Sequence, residues 1–144
     1  MAVTPNKARL KKLMGITDTP RRVEVVSIDS NTTLAASQSG TIVFLGGGSA
    51  TTLTLPAVEA GLHFEVYVTT EQQHVIAAQS NVMQGNYRHN TAATTIVRVA
   101  ISDKGKLTLH SSGRAIGDRL LFWCDGTNWY VDGFVNNALT QGTV

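Results

Sequence analysis

From residue 22 onward the apolar residues recur every second position, in short runs punctuated by turn residues, and nowhere with helical period over a helix's length. A period of two places alternate side chains on opposite faces of a strand, so a chain patterned this way can build its core only from sheets. Thr51–Leu55 shows the pattern plainly: Leu53 and Leu55 face one way, Thr52 and Thr54 the other, and Pro56 closes the run because it has no N–H for a ladder. In the longer run after Gly61, Leu62, Phe64, Val66 and Val68 share one face, and His63, Glu65, Tyr67 and Thr69 share the other.

Further strands are expected at Val23–Ile28, Thr33–Ala35, Thr41–Leu45, His74–Ala78 and Thr94–Ser102. Asp103-Lys104-Gly105 reads as a tight turn returning Lys106–His110 as a hairpin partner, and Asp125-Gly126 as the turn of a last hairpin, Arg119–Cys124 with Asn128–Val131. Gln79–Ala93 is polar and reads as a loop or weak hairpin. The expectation is an all-β, sandwich- or barrel-like (β-tulip-like) domain of about ten short strands over residues 23–135, with an extended N-terminal arm over 1–22 and a polar C-terminal tail over 136–144. At 144 residues there is room for one such domain.

Charge divides the chain at the same place. Residues 1–22 carry Lys7, Arg9, Lys11, Lys12, Arg21 and Arg22 against Asp18, a net +5, whereas the remainder has six basic and nine acidic side chains, a net −3. A basic segment ahead of a mildly acidic body suits electrostatic docking on a partner; its other reading is a solubilising tail. Val3, Leu10 and Leu13, with Met14 and Ile16, would supply apolar contacts, and the segment could add a strand to a partner's sheet edge. The segment lacks the apolar stretch of a signal peptide, and no run approaches the ~20 apolar residues of a membrane span, so the chain is expected to be soluble and made in a cytoplasm.

Catalytic and metal patterns are weak. His63, His74, His89 and His110 are scattered, and Cys124 is the single cysteine, in an apolar run that suits a core position, so neither a metal nor a cofactor is expected. No serine sits in a Gly-x-Ser-x-Gly elbow, and Gly46–Gly48 lacks the Lys-Ser/Thr of a phosphate loop and leads into a strand instead of a helix. The acids are spread over turns and polar faces, with no pair marked out, so no enzyme is expected. Trp123, Trp129 and Tyr130 form the densest aromatic patch. Trp123 and Trp129 are placed to be cross-strand neighbours, a pair worth about 0.5–1.5 kcal/mol beyond area burial. Core packing is their leading role, with a subunit or sugar contact the alternative. Nucleic-acid stacking is disfavoured because basic residues do not interleave with the rings.

Two segments together carry a resemblance. Thr52-Leu53-Thr54-Leu55-Pro56 with Ala60-Gly61-Leu62-His63-Phe64-Glu65-Val66, and Gly117-Asp118-Arg119-Leu120 through Cys124-Asp125-Gly126-Thr127-Asn128-Trp129-Tyr130-Val131, resemble small virion proteins of tailed bacteriophages, over roughly residues 30–135. The resemblance implies a capsid decoration (cement) protein: a homotrimer on the outside of the phage head, bound to the major capsid protein through its N-terminal arm. On that reading Val3, Lys7, Arg9, Leu10, Lys11, Lys12, Leu13, Arg21 and Arg22 contact the capsid, and Trp123, Trp129 and Tyr130 are candidate subunit or ligand contacts. No membrane or direct nucleic-acid contact is implied. The alternative is a tail-fibre or receptor-binding module.

Overall fold

The computed structural model describes residues 23–92, 95–110 and 116–144. Twelve strands lie among them: β1 Val25–Ile28, β2 Thr32–Thr33, β3 Ile42–Leu45, β4 Thr52–Thr54, β5 His63–Val68, β6 Val75–Ala77, β7 Met83–Ala92, β8 Thr95–Lys104, β9 Lys106–Thr108, β10 Arg119–Cys124, β11 Trp129–Val135 and β12 Thr140–Gly142. The only helical element among the described residues is a 3₁₀ turn at Ala36–Gln38. The protein is all-β.

The strands form two open sheets, a seven-stranded one in the order β1-β3-β5-β10-β11-β7-β8 and a five-stranded one in the order β12-β9-β6-β4-β2. The first half of the chain steps from one sheet to the other at each strand. β1, β3 and β5 therefore pair in parallel in the large sheet, and β2, β4 and β6 in the small one. It is a short coil. Partners on successive turns lie 17 residues apart from Val25 to Ile42, 21 from Thr32 to Leu53, and 23 from Ile42 to Glu65 and from Thr52 to Val75. These unequal turns leave no fixed repeat in the sequence. The second half closes the body with antiparallel pairs β7·β8, β10·β11 and β9·β12.

One core lies between the sheets. Val43, Leu45, Phe64, Val66, Phe122 and Trp129 come from the large sheet and Leu53, Ile76 and Leu107 from the small one, all buried in a single cluster. Trp129 and Phe64 pack with ring centroids 5.9 Å apart and planes tilted 43°. Each such side chain contributes about 1.5–3 kcal/mol on burial, which is how strands of three or four residues are held. Cys124 is buried there too.

Four local expectations change. Gln79–Ala93 contains a ten-residue strand, β7, paired with both β11 and β8. It presents Met83, Tyr87 and His89 inward and polar residues outward. Gly85, at φ 126°, lies against the Val131 backbone, where a side chain would not fit. Lys106–Thr108 does not return beside β8; at Asp103 (φ 51°) the chain bends into the other sheet, and β9 pairs with β6 and β12. The expected tail is anchored: Leu139 is buried, its N–H donates to the Tyr87 hydroxyl at 3.0 Å, and β12 follows on β9. Finally, Trp123 is not opposite Trp129. The connection 125–128 has four residues, so Trp123 faces Tyr130 and Cys124 faces Trp129. A one-residue change of register moves a side chain to the other face.

Candidate binding surface

The two ends of the body differ. At one end the C-terminal residues tie the sheets together: Gly105 N–H donates to Gly142 O at 2.9 Å, Gln141 Nε2 to Ala100 O at 2.9 Å, and Val144 N–H to Asn81 Oδ1 at 3.0 Å. The other end carries the first turn of the coil, where β1 and β2 are the outermost strands of their sheets. Ile42 N–H donates to Glu24 O and Gly46 N–H to Ile28 O, so alternate residues of β1 face β3. In a parallel ladder the intervening Val25 and Ser27 then turn their N–H and C=O groups outward. Among the described residues no strand pairs with this edge, which follows Val23, where the basic segment joins the body. Residues 1–22, with the capsid-contact candidates Val3 to Arg22, lie outside the described residues.

A broad surface is formed by the outward face of the large sheet. The register aligns one row across all seven strands: Ser27, Phe44, Tyr67, Arg119, Phe134, Arg88 and Arg98. A second row, from β5 to β7, is His63, Trp123, Tyr130 and Gln84. Between them run Val25, Ile42, Glu65, Leu121 and Asp132. Trp123 is 46% exposed, Tyr130 44% and Phe134 43%. Of the three aromatic candidates from the sequence, Trp123 and Tyr130 therefore meet as direct cross-strand neighbours on an open face, while Trp129 is sealed in the core and unable to touch a partner.

Local chemistry fixes the face. Glu65 Oε1 accepts the Tyr67 hydroxyl at 2.8 Å and pairs with Arg119 Nε at 2.9 Å; the Arg119 guanidinium lies 5.9 Å from the Tyr67 ring centroid, and Phe44 packs on Tyr67 at 5.9 Å. The bond to Glu65 leads the causes that raise the Tyr67 pKa. In the β10–β11 turn, Asp125 Oδ1 accepts the N–H groups of Thr127 and Asn128, each at 2.8 Å, which lowers its pKa. Two shallow clefts open onto the face. One, of about 270 Å³, is bounded by Val23, His63, Glu65, Leu121 and Trp123; the other, of about 150 Å³, lies among Arg88, Arg119, Asp132 and Phe134.

Arg88 and Arg98 sit directly opposite each other on antiparallel strands, both exposed, with no ion pair among the described residues. Like charges so placed repel. Neither this pairing nor the seven-strand row was foreseeable, since Arg88 lies in the stretch that reads as a loop or weak hairpin, with no register to place it opposite Arg98.

Two polar groups elsewhere are buried in structural roles. His74 Nδ1 accepts the Thr51 N–H at 3.2 Å, so its proton sits on Nε2, 2.9 Å from Thr70 Oγ1; burial lowers its pKa. Asp118 Oδ1 accepts from Asn136 N–H at 2.8 Å and Nδ2 at 3.3 Å, yet burial outweighs these bonds and raises its pKa to about 6. Among the described residues no group of three His, Cys, Asp or Glu side chains is placed to hold a metal ion.

No protein-family model, curated protein or solved structure matches the chain. The surface itself must carry the functional reading.

Proposed function

We propose that the protein is a structural component of a tailed-phage particle, a capsid decoration protein that attaches to the outside of the head through its basic N-terminal segment. The observation that carries this reading is the open β1/β2 end. Among the described residues no strand pairs with the outer edge of β1, which lies where the net +5 segment enters the body, while at the opposite end the C-terminal residues bond across to β8 and to Asn81 just ahead of β7. Exposed strand edges invite pairing with another chain, and long-lived proteins ordinarily block them. An edge that no described strand covers, beside a cationic segment, suits a module that docks by this end. The sequence resemblance to small virion proteins points the same way.

On this reading the six basic side chains speed encounter with an acidic shell surface, apolar residues of the segment supply most of the affinity, and the outward backbone groups of Val25 and Ser27 pair with a strand of the major capsid protein. Many copies, each weakly held, then reinforce the shell. A homotrimer would set three such ends on one site. The competing tail-fibre reading is favoured by one observation, the exposed Trp123–Tyr130 pair.

The test uses the full chain and expanded heads stripped of decoration. Replacing Lys7, Arg9, Lys11, Lys12, Arg21 and Arg22 with alanine should abolish saturation of the heads and leave the thermal unfolding midpoint unchanged. Ser27→Pro, which removes one outward N–H at an edge position that tolerates proline, should weaken binding. Undiminished occupancy by the arm variant would dismiss the mechanism.

A further inference from the structure

The outward face of the large sheet goes beyond attachment, because it lies on the side of the sheet and not at its open end. We propose that it is a binding platform for an acidic oligosaccharide. Three observations combine. The first is the in-register aromatic pair: Trp123 and Tyr130 are nearly half exposed and flanked in the same row by His63, whose Nδ1 meets Gly61 O at 3.3 Å, and by Gln84, whose Nε2 donates to Asp103 Oδ1 at 2.6 Å and leaves its amide oxygen as an acceptor. Flat rings edged by hydrogen-bonding groups suit a sugar, whose faces are apolar and whose rim is hydroxylated.

The second is the arginine pair. Arg88 and Arg98 face each other with no ion pair among the described residues, and Arg119, held by Glu65, stands two strands away in the same row with Phe134 between. A like-charged cross-strand pair costs stability in the free protein and is relieved by an anion lying between its members. Arg119 and Trp123 are four residues apart on one strand, about 13 Å at the rise of a β-strand. An oligosaccharide lying along the strands can therefore stack on the aromatic row and place a carboxylate at the arginines.

The third is the character of the strands beneath. Parallel ladders are usually covered on both faces and read as unbroken apolar runs. Ile42–Leu45 in β3 is such a run, yet Phe44 reaches solvent, and Val25 beside it in β1 is 53% exposed. The face is built to be covered. Arg88, Arg98 and Arg119 outnumber Glu65, which pairs with Arg119, and Asp132 on this face, and the rings with that small positive excess fit a ligand that is both ring-stacking and acidic.

Titration calorimetry on the full chain tests this with three probes: hexameric galacturonate, neutral cellohexaose and polyglutamate of matched charge. The galacturonate should bind, with cellohexaose weaker by about tenfold. Trp123→Ala and the double variant Arg88→Glu/Arg98→Glu should each weaken galacturonate by about tenfold, with urea midpoints close to the parent's. Absence of galacturonate binding, equal binding of polyglutamate or cellohexaose, or affinity untouched by Trp123→Ala overturns the proposal. Should a variant fail to fold, amide shifts in the parent decide: galacturonate must perturb residues 84–88, 119–123 and 130–134, and perturbation confined elsewhere overturns it equally. Because the assay contains no phage head, its outcome is independent of attachment.

Discussion

Replacing Asp118 with asparagine should make the protein more stable at neutral pH and leave it unchanged in acid. Asp118 is buried beside β10, and its carboxyl titrates near 6 where an ordinary aspartate titrates at 3.8. The native state therefore binds this proton more tightly than the unfolded state does. Below about pH 3.8 both states are protonated and no penalty exists. Between 3.8 and 6 the unfolded chain ionises first, so stability falls as pH rises, and above 6 the full cost of a buried carboxylate is present. A displacement of two units corresponds to at most about 3 kcal/mol. Asparagine keeps an oxygen for the Asn136 N–H and removes the charge. Urea unfolding of parent and Asp118→Asn at pH 7.5 and at a pH below 3.8 measures the difference. The account requires a gain at pH 7.5, at most about 3 kcal/mol, that vanishes in acid. Equal destabilisation by the substitution at both values would refute the reasoning, because it would mean that Asp118 acts as a hydrogen-bond acceptor and its burial costs nothing.

His74 works in the opposite direction: its lowered pKa means that the unfolded state takes up the proton first, so stability is lost as pH falls below 6.5, and its ring should titrate by NMR below that value. Leu139→Ala should cost about 2–4 kcal/mol in urea unfolding, as expected of an anchored tail, whereas a loose tail would show no change. Tyr87→Phe leaves the buried Leu139 N–H without its acceptor and should cost about 1–3 kcal/mol by the same assay. Gly85→Ala places a methyl against the Val131 backbone at φ 126°, and should lower the thermal midpoint more than any other glycine-to-alanine change in the large sheet.

The fold class was legible because period two survives wherever one strand face is buried, as in β4, β5 and β10. The coil was not legible, since parallel partners lie 17 to 23 residues apart without a constant interval. β7 was hidden by composition: its inward positions include Gly85 and His89, one chosen for close backbone approach and the other polar, so the alternation of Met83 and Tyr87 is diluted. Leu139 is a single apolar residue in a polar segment, too little to mark β12. The site shows the same limits. Trp123, Trp129 and Tyr130 stood out by residue type, but which two share a face depended on a turn of four residues, set by Asp125 bonding the Thr127 and Asn128 amides. Arg88 and Arg98 meet only through the β7·β8 register.

An image of the particle at subunit resolution tests the attachment account most directly. The account predicts hundreds of copies on the head, each with its β1/β2 edge against the shell, residues 1–22 running onto neighbouring capsid subunits, and Trp123 facing away from the lattice. A handful of copies at the tail, or a body seated on its β8/β12 end, would contradict it.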